Sequence, residues 1–286
     1  MTTIGAALKA HAKRLDSRLD AELLLAHALD KPRAWLYAHA EEAIPQQLHA
    51  RATDLFERRL AGEPVAYILG LREFYGREFS VGPDVLIPRP ETELLVELAL
   101  ERLPAGPCRV LDVGTGSGCI ALTLAAERPA WQVTALDRSA AALAVCARNA
   151  ARLGIARVRC LESDLLSAVA GERFDAIVSN PPYVAASDPH LRRGDLRFEP
   201  DLALSAGADG MSVITALIDQ AQTALEPGGW LILEHGHEQG PAVAARMREA
   251  GLEEPATRQD LAGLDRATLA RRCRAAGTMD RNLVCR

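Results

Sequence analysis

Residues 110–118 read VLDVGTGSG, and this stretch decides the fold. An apolar, strand-like run passes into three glycines at alternate positions, and a segment with helical spacing follows. Glycine has no Cβ, so such a loop lets a ligand lie against the backbone. Ordinary turns also use glycine, and a glycine cluster alone is therefore weak support for a ligand site. The stretch predicts a strand, a loop and a helix of a parallel α/β domain.

Apolar strands and helices alternate around this stretch. The strand-like segments are CRVLDVG, WQVTALD, ARVRCLESD, FDAIVSN and GWLILEHG, and helical patterns cover residues 91–103, 118–127, 139–153, 211–226 and 240–250. This alternation is typical of a doubly wound parallel sheet covered on both faces. Residues 254–272 add two strand-like runs. Residues 274–286 have no clear periodicity, and we assign them no role.

The N-terminal part has a different pattern. From residue 4 to about residue 60, apolar side chains fall at helical spacing with breaks at 30–32 and 43–45, which predicts a small helical bundle. Residues 62–93 carry Gly and Pro at short intervals and predict a hairpin and a connecting loop. Phe79, Val81, Val85, Leu86 and Ile87 are strand-like there. We expect a helical recognition domain at 1–72, a hairpin linker at 73–90 and an α/β domain at 91–286.

Composition excludes several classes of protein. The 286 residues are 49% hydrophobic and 25% charged, as in globular proteins and unlike disordered or collagenous chains. The net charge is −5, and residues 1–80 carry eleven basic and eleven acidic side chains, which disfavours nucleic-acid binding. No charge-free apolar run is long enough to span a membrane, so we expect a cytoplasmic protein. The six cysteines form no C-x-x-C pattern, and we expect neither a metal site nor a disulfide framework.

The acidic residues around the glycine loop indicate the kind of ligand. Asp137 ends the next strand-like segment, nineteen residues after Gly118, where a carboxylate can accept from both hydroxyls of a ribose. The third glycine comes one residue earlier than in G-x-G-x-x-G, the pattern that binds a pyrophosphate. We therefore expect a nucleoside ligand. The form LDVGTGSG resembles motif I of the S-adenosylmethionine-dependent methyltransferases.

Two further carboxylates have open roles. Asp112 either lies close to the cationic tail of the cofactor or stabilises the loop as an acceptor. Asp164 follows the third strand, where it either accepts from the exocyclic amine of adenine or caps the strand end.

The tetrapeptide NPPY at residues 180–183 follows the fourth strand. In an open α/β sheet the carboxyl ends of the strands form the ligand crevice, so this segment points at the methyl donor. Pro181 and Pro182 fix φ and remove two N–H donors, which leaves a rigid cluster of acceptors. The Asn180 side-chain oxygen and the Pro181 carbonyl can accept from an NH₂ group and direct its lone pair at a methyl group, while Tyr183 offers a flat face. The pattern predicts methylation of an amide or an adenine amine.

The chain resembles the PrmC/HemK family, the bacterial peptide chain release factor glutamine N5-methyltransferases. The resemblance covers residues 15–272 and is carried by DAELLLAHAL, GEPVAYILGLREFYGREFSVGPDVLIPRPETE, LDVGTGSG, SNPPY, the DPHL and RFEP loop, LILEHG and DRATLA. It implies a Rossmann-like class I methyltransferase domain joined by a β-hairpin to a small helical domain. It also implies methyl transfer from S-adenosylmethionine, giving S-adenosylhomocysteine, to the glutamine of the Gly-Gly-Gln motif in class 1 release factors, with consequences for translation termination.

The family's site residues carry over by matching position. The residues expected to bind the cofactor are Gly114, Thr115, Gly116, Ser117, Gly118, Asp137, Asp164, Leu165 and Asn180. Asn180, Pro181 and Tyr183 are expected to be catalytic. The residues expected to bind the substrate glutamine or to line its entrance are Asn180, Pro181, Pro182, Tyr183, Arg89, Pro90 and Glu91. The position of Leu165 is often aromatic in the family, so loss of stacking on adenine is expected to lower cofactor affinity modestly.

Three other functions share part of this pattern. A DNA adenine-N6 methyltransferase uses the same chemistry on a flipped base, but it usually needs a basic recognition region. A ribosomal-protein glutamine methyltransferase shares nearly all the motifs. A non-catalytic binding module is disfavoured because every glycine and every NPPY acceptor is present. We expect a monomer that meets a release factor one to one.

Overall fold

Helices form the N-terminal part of the computed structural model, which describes residues 2–189 and 194–274. The five helices are α1 (Ile4–Leu15), α2 (Arg18–Leu29), α3 (Arg33–Ala38), α4 (Gln46–Leu60) and α5 (Val65–Leu69). Thr3 and Ser17 cap the first two through their side-chain oxygens. Leu24, Leu25 and Phe56 are buried at the centre of the bundle. The breaks predicted at 30–32 and 43–45 are confirmed.

A two-stranded antiparallel hairpin follows, formed by β1 (Leu71–Phe74) and β2 (Arg77–Ser80). Two expectations for this region are wrong. Residues 65–69 form a short helix instead of part of a loop, and residues 81–87 form no strand. Val85 and Ile87 are buried all the same, because they pack against α8 (Ala140–Arg152). The Ile87 N–H donates to the Glu199 carboxylate at 3.0 Å, so it does not pair with a neighbouring strand.

The rest of the described chain is a seven-stranded sheet flanked by helices. Its strands are β3 (Arg109–Val113), β4 (Gln132–Asp137), β5 (Arg159–Glu162), β6 (Phe174–Ser179), β7 (Leu225–Glu234), β8 (Leu252–Gln259) and β9 (Asp265–Arg272). The helices are α6 (Glu93–Arg102), α7 (Cys119–Glu127), α8, α9 (Asp201–Leu204), α10 (Ser212–Ala224) and α11 (Gly240–Glu249). The order is β5-β4-β3-β6-β7-β9-β8, with β9 antiparallel to β7 and to β8.

This order places the ligand crevice. It reverses between β3 and β6, and in open α/β sheets the ligand binds outside the carboxyl ends of the strands at such a switch point. The sheet buries apolar side chains on both faces, with Val110 and Val178 in one cluster and Leu111 and Ile177 in the other. No helix in residues 2–189 and 194–274 is long and apolar enough to cross a membrane.

The helical bundle and the sheet domain are tied together by polar contacts. Asn149 on α8 is buried and holds both the N–H and the C=O of Ser80, at 2.7 and 3.0 Å. Arg59 at the end of α4 pairs with Asp195 at 2.7 Å. The Tyr67 hydroxyl donates to the Val85 carbonyl at 2.6 Å. The Asn149 bonds fix the hairpin against the α/β domain, and the Arg59–Asp195 pair fixes α4 against it. The Tyr67 bond holds the segment after the hairpin against α5.

Candidate active site

Four adjacent strands end at one level. The parallel register aligns Leu136 of β4, Val113 of β3, Ser179 of β6 and Leu233 of β7. The chain after each strand therefore leaves the sheet beside its neighbour. The glycine loop lies between Asp137 and Asn180, and Glu234 lies on the far side of Asn180.

A cavity of about 330 Å³ opens at this edge. Its volume falls in the range of small-molecule sites. Eleven of the residues expected to form the site line it: Gly114, Thr115, Gly116, Ser117, Asp137, Asp164, Leu165, Asn180, Pro181, Pro182 and Arg89. Gly118, Tyr183, Pro90 and Glu91 do not line it.

Two glycines of the loop have different physical requirements. Gly116 has φ +55° and an added Cβ there would meet no atom within 4 Å, so the space beside it is open to a ligand. Gly118 is buried with φ +83°, and an added Cβ would lie 2.6 Å from Cys146 Sγ. Gly118 is thus required by close packing of the loop on α8, which sets it apart from the glycines that face the cavity.

Asp112 acts within the loop. It is fully buried, and its Oδ2 accepts from Thr115 Oγ1 at 2.7 Å and from the Ala121 N–H at 3.2 Å. Burial raises its pKa to about 7. Asp112 does not line the cavity, so of the two roles left open, this geometry favours that of loop acceptor.

Asp137 and the segment after β5 line the cavity on the other side of the glycine loop from NPPY. Asp137 accepts from the Gly116 N–H and the Ser139 N–H, both at 2.9 Å, one on each carboxylate oxygen. Each oxygen keeps acceptor capacity for a ligand. Asp164 is exposed at the rim. Leu165 has φ +47°, a conformation that a side chain with a Cβ rarely adopts, and the Ser163 hydroxyl donates to its carbonyl at 2.7 Å.

The NPPY segment is held by hydrogen bonds at both ends. Ser179 just before it donates to the Val113 carbonyl at 2.6 Å. Asn180 Nδ2 donates to Thr92 Oγ1 at 3.1 Å. The Tyr183 hydroxyl donates to Glu234 Oε1 at 3.2 Å, away from the cavity, and burial together with Glu234 raises the pKa of Tyr183. Pro181 between them is buried.

Glu234 is a buried carboxyl group that sequence reasoning did not single out. It is 1% exposed, and its Oε2 makes no well-formed hydrogen bond among the described residues. Burial raises its pKa to about 7, against the opposing effects of Thr92 and Arg266. Glu234 belongs to LILEHG, one of the motifs that carry the family resemblance. A carboxylate at the end of an otherwise apolar strand was the feature of the sequence that could have indicated a role for it.

Glu199 was missed in the same way. This buried residue of the RFEP sequence pairs with Arg89 and accepts from the Ile87 N–H. It therefore fixes the wall that Arg89 contributes to the cavity mouth. Glu91, two residues after Arg89, is exposed and lies outside the cavity. Residues 190–193, which include part of the expected DPHL loop, and residues 275–286 of the tail lie outside the described residues.

A Rossmann-like sheet with a glycine loop at its switch point and NPPY after the adjacent strand defines a class I methyltransferase. Two family models match the chain, "PrmC N-terminal domain" over residues 4–70 and "Methyltransferase small domain" over residues 91–193. The chain is 52% identical over 270 residues to the release factor glutamine methyltransferase of Xylella fastidiosa, covering 93% of this chain and 97% of that one. The Escherichia coli K12 enzyme of the same name is 46% identical, with 89% and 92% covered.

A solved structure shows the same fold. The ribosomal protein L11 methylase from Lactobacillus delbrueckii subsp. bulgaricus has a TM-score of 0.51 and 24% identity over 68% of this chain and 84% of that chain. The chain belongs to the release factor glutamine methyltransferase family. The expected fold class and family are thereby confirmed, and the chain is an S-adenosylmethionine-dependent methyltransferase.

Proposed function

We propose that this protein transfers a methyl group from S-adenosylmethionine to the N5 side-chain amide of the glutamine in the Gly-Gly-Gln motif of class 1 release factors. The observation that carries the proposal is the orientation of Asn180. Its NH₂ group donates to Thr92 at 3.1 Å and Asn180 lines the cavity, so its Oδ1 would be the atom that accepts from a ligand there. Identity of about 50% to relatives named for this activity supports the same substrate.

The residues around the glycine loop fit the cofactor. The open space at Gly116 suits a ligand that lies against the backbone, and Asp137 retains acceptor capacity for two ribose hydroxyls. Asp164 and Leu165 would hold the adenine, with Leu165 packing on one face. Gly114, Thr115 and Ser117 would complete the cradle, while Gly118 supports it from behind. When bound, S-adenosylmethionine supplies an electrophilic methyl group on a sulfonium.

The chain's contribution to catalysis is positioning. Asn180 Oδ1 and the Pro181 carbonyl would accept hydrogen bonds from the two protons of the substrate NH₂, which makes the nitrogen more pyramidal and directs its lone pair at the methyl group. Fixed acceptors of this kind cost no reorganisation during the reaction. Pro181 and Pro182 both line the cavity and have no N–H group that would compete for these acceptors. Tyr183 lies behind the cavity wall, where its hydroxyl bond to Glu234 would hold the NPPY backbone in place.

The substrate would enter past Arg89, which lines the cavity and is held there by Glu199, and the exposed Pro90 and Glu91 would lie outside it. We propose that residues 1–72 recognise the release factor, that residues 73–90 link the two units and that residues 91–286 carry catalysis. In this scheme one monomer meets one release factor in the cytoplasm, without nucleic acid. The methylated glutamine would then act in translation termination.

Mass spectrometry of a release factor incubated with the protein and S-adenosylmethionine tests the proposal. We expect a gain of one methyl mass on the glutamine of the Gly-Gly-Gln peptide. Asn180→Ala should abolish that gain while its circular dichroism spectrum and melting temperature stay close to wild type. Labelling of ribosomal proteins or of oligonucleotides, with the release factor unlabelled, would reject this substrate in favour of the corresponding alternative.

A further inference from the structure

Three segments that are distant in sequence meet at NPPY, where Thr92 also lines the cavity. Thr92 ends a short 3-10 turn (Pro90–Thr92) before α6, Asn180 follows β6, and Glu234 ends β7. The register of β6 and β7 pairs Ser179 with Leu233, so Asn180 and Glu234 leave the sheet side by side. Thr92 and Glu234 are both almost completely buried.

Two hydrogen bonds and one close approach link these residues in a chain. Asn180 Nδ2 donates to Thr92 Oγ1 at 3.1 Å, and the hydroxyl keeps its own proton to donate. The Glu234 carboxyl group lies beside that hydroxyl and accepts from Tyr183 on its other side. Burial raises the pKa of Glu234 to about 7, against the opposing effect of Arg266 on β9. Above that pH the carboxylate can only accept, so the donors of the chain then point toward Glu234.

We propose that Thr92 and Glu234 are positioning residues that set which atom of the Asn180 amide faces the cavity. If the amide were reversed, its oxygen would need the Thr92 proton, which would then point away from the Glu234 carboxylate beside it. The reversed amide would also present an NH₂ group to the substrate NH₂, where two donors face each other. The inference rests on the proposed function for its kinetic consequence, since it concerns the acceptor that holds the substrate amide.

A purely structural role would call for a different residue. A buried carboxyl group with one oxygen poorly bonded is costly, and an uncharged side chain of similar shape would serve packing at least as well. Glu234 also anchors Tyr183. One carboxylate thus orients the side chains at both ends of NPPY.

Three substitutions test the inference: Thr92→Val removes the hydroxyl with the shape kept, Thr92→Ser retains a hydroxyl, and Glu234→Gln permits the reversed chain. We expect Thr92→Val and Glu234→Gln to lower kcat by about tenfold to a hundredfold, the range that misplacement of a reacting group causes. The KM for the release factor and the melting temperature should change little by comparison. Thr92→Ser should restore kcat to within about twofold of wild type.

A second readout needs no substrate. In ¹⁵N-labelled protein, the Asn180 side-chain NH₂ signals, identified by their loss in Asn180→Ala, should exchange with water at least about tenfold faster in Thr92→Val than in wild type, because the hydrogen bond that protects them is gone. If the Asn180 NH₂ protons exchange at the same rate in Thr92→Val as in wild type, the inference is overturned. This holds whichever substrate the wild-type protein methylates. Loss of kcat in Thr92→Ser and Thr92→Val alike, in proportion to a fall in melting temperature, would also overturn it. Absence of methylation by wild type would instead reject the proposed function alone.

Discussion

Gly118→Ala should destabilise the protein through a contact with Cys146. The backbone there has φ +83°, and the new Cβ would lie 2.6 Å from Cys146 Sγ, 3.3 Å from Cys146 Cβ and 3.0 Å from Leu122 Cδ1. Rotating the cysteine side chain moves the sulfur but leaves its Cβ in place. The helix α8 or the loop must therefore shift to make room.

Two contributions set the size of the effect. The left-handed conformation costs a residue with a Cβ about 1–2 kcal/mol. Overpacking of a filled core adds about 1–3 kcal/mol. We therefore expect a loss of about 2–5 kcal/mol in the free energy of unfolding. Gly116→Ala is the matched control, because φ is +55° and an added Cβ meets nothing within 4 Å, so only the conformational cost remains.

Urea unfolding followed by circular dichroism measures both variants without cofactor. A double-mutant cycle with Cys146→Ala isolates the contact, since removing the sulfur should recover about 1–3 kcal/mol of the Gly118→Ala loss. Calorimetric titration of S-adenosylmethionine should show the opposite ranking, with Gly116→Ala losing affinity the more strongly because its Cβ occupies ligand space.

The reasoning fails on either of two results. One is a Gly118→Ala loss within about 0.5 kcal/mol of the Gly116→Ala loss, which is the usual error of additivity. The other is a cycle in which Cys146→Ala restores nothing. Either result would mean that the loop moves to accommodate the added methyl group. Glycine would then be needed at position 118 only for its positive φ, as at position 116.

Three further predictions concern buried polar groups. Asn149→Ala removes three hydrogen bonds to backbone groups of the hairpin and the glycine loop and should cost about 2–4 kcal/mol in urea unfolding. Asn149→Asp should cost at least as much, because its second carboxylate oxygen would face the Ser80 and Ser117 carbonyls in a buried position. Arg89→Met leaves the buried Glu199 carboxylate without its cation and should cost about 3–5 kcal/mol, whereas the double variant with Glu199→Gln should recover part of the loss; no difference between the two would contradict this. In the folded protein the pKa of Glu234 is about 7, whereas in the unfolded chain it is near its ordinary value of 4.5. The protonated carboxyl group therefore contributes most to stability below about pH 4.5. This contribution is lost as the pH rises through 7. Glu234→Gln should therefore make the unfolding free energy fall less steeply between about pH 5 and pH 8. The decline that remains in this variant should include a contribution from Asp112, because burial also raises the pKa of Asp112 to about 7.

The elements of the sheet could be predicted from the sequence because their signals are local. Each of the five expected strands forms, and the two strand-like runs near residues 254–272 become β8 and β9. The glycine loop and NPPY also lie where strand order puts them. Apolar periodicity failed at residues 81–87, where side chains are buried without a strand. Their burial depends on α8 and on Glu199, which local patterning does not contain.

The same limit explains the site residues that were missed or placed differently. Thr92 and Glu234 reach NPPY only through the register of β6 and β7 and the turn before α6. Tyr183 turns its hydroxyl toward Glu234, so it stands behind the cavity wall instead of lining it. Leu165 adopts a left-handed conformation that no apolar pattern signals. Sequence patterns place residues on elements, and long-range packing decides which way their side chains point.

One short segment connects the N-terminal helices to the cavity mouth. Asp195 pairs with Arg59 at the end of α4, Arg197 donates to the Ala61 carbonyl at 2.5 Å, and Glu199 holds Arg89 at the cavity wall. These three contacts lie within five residues of chain, so a displacement of α4 has a short covalent route to the mouth of the site. The proposed division of labour then has a physical basis: a substrate that docks on the helices is held by the same polar framework that positions Arg89 beside its glutamine.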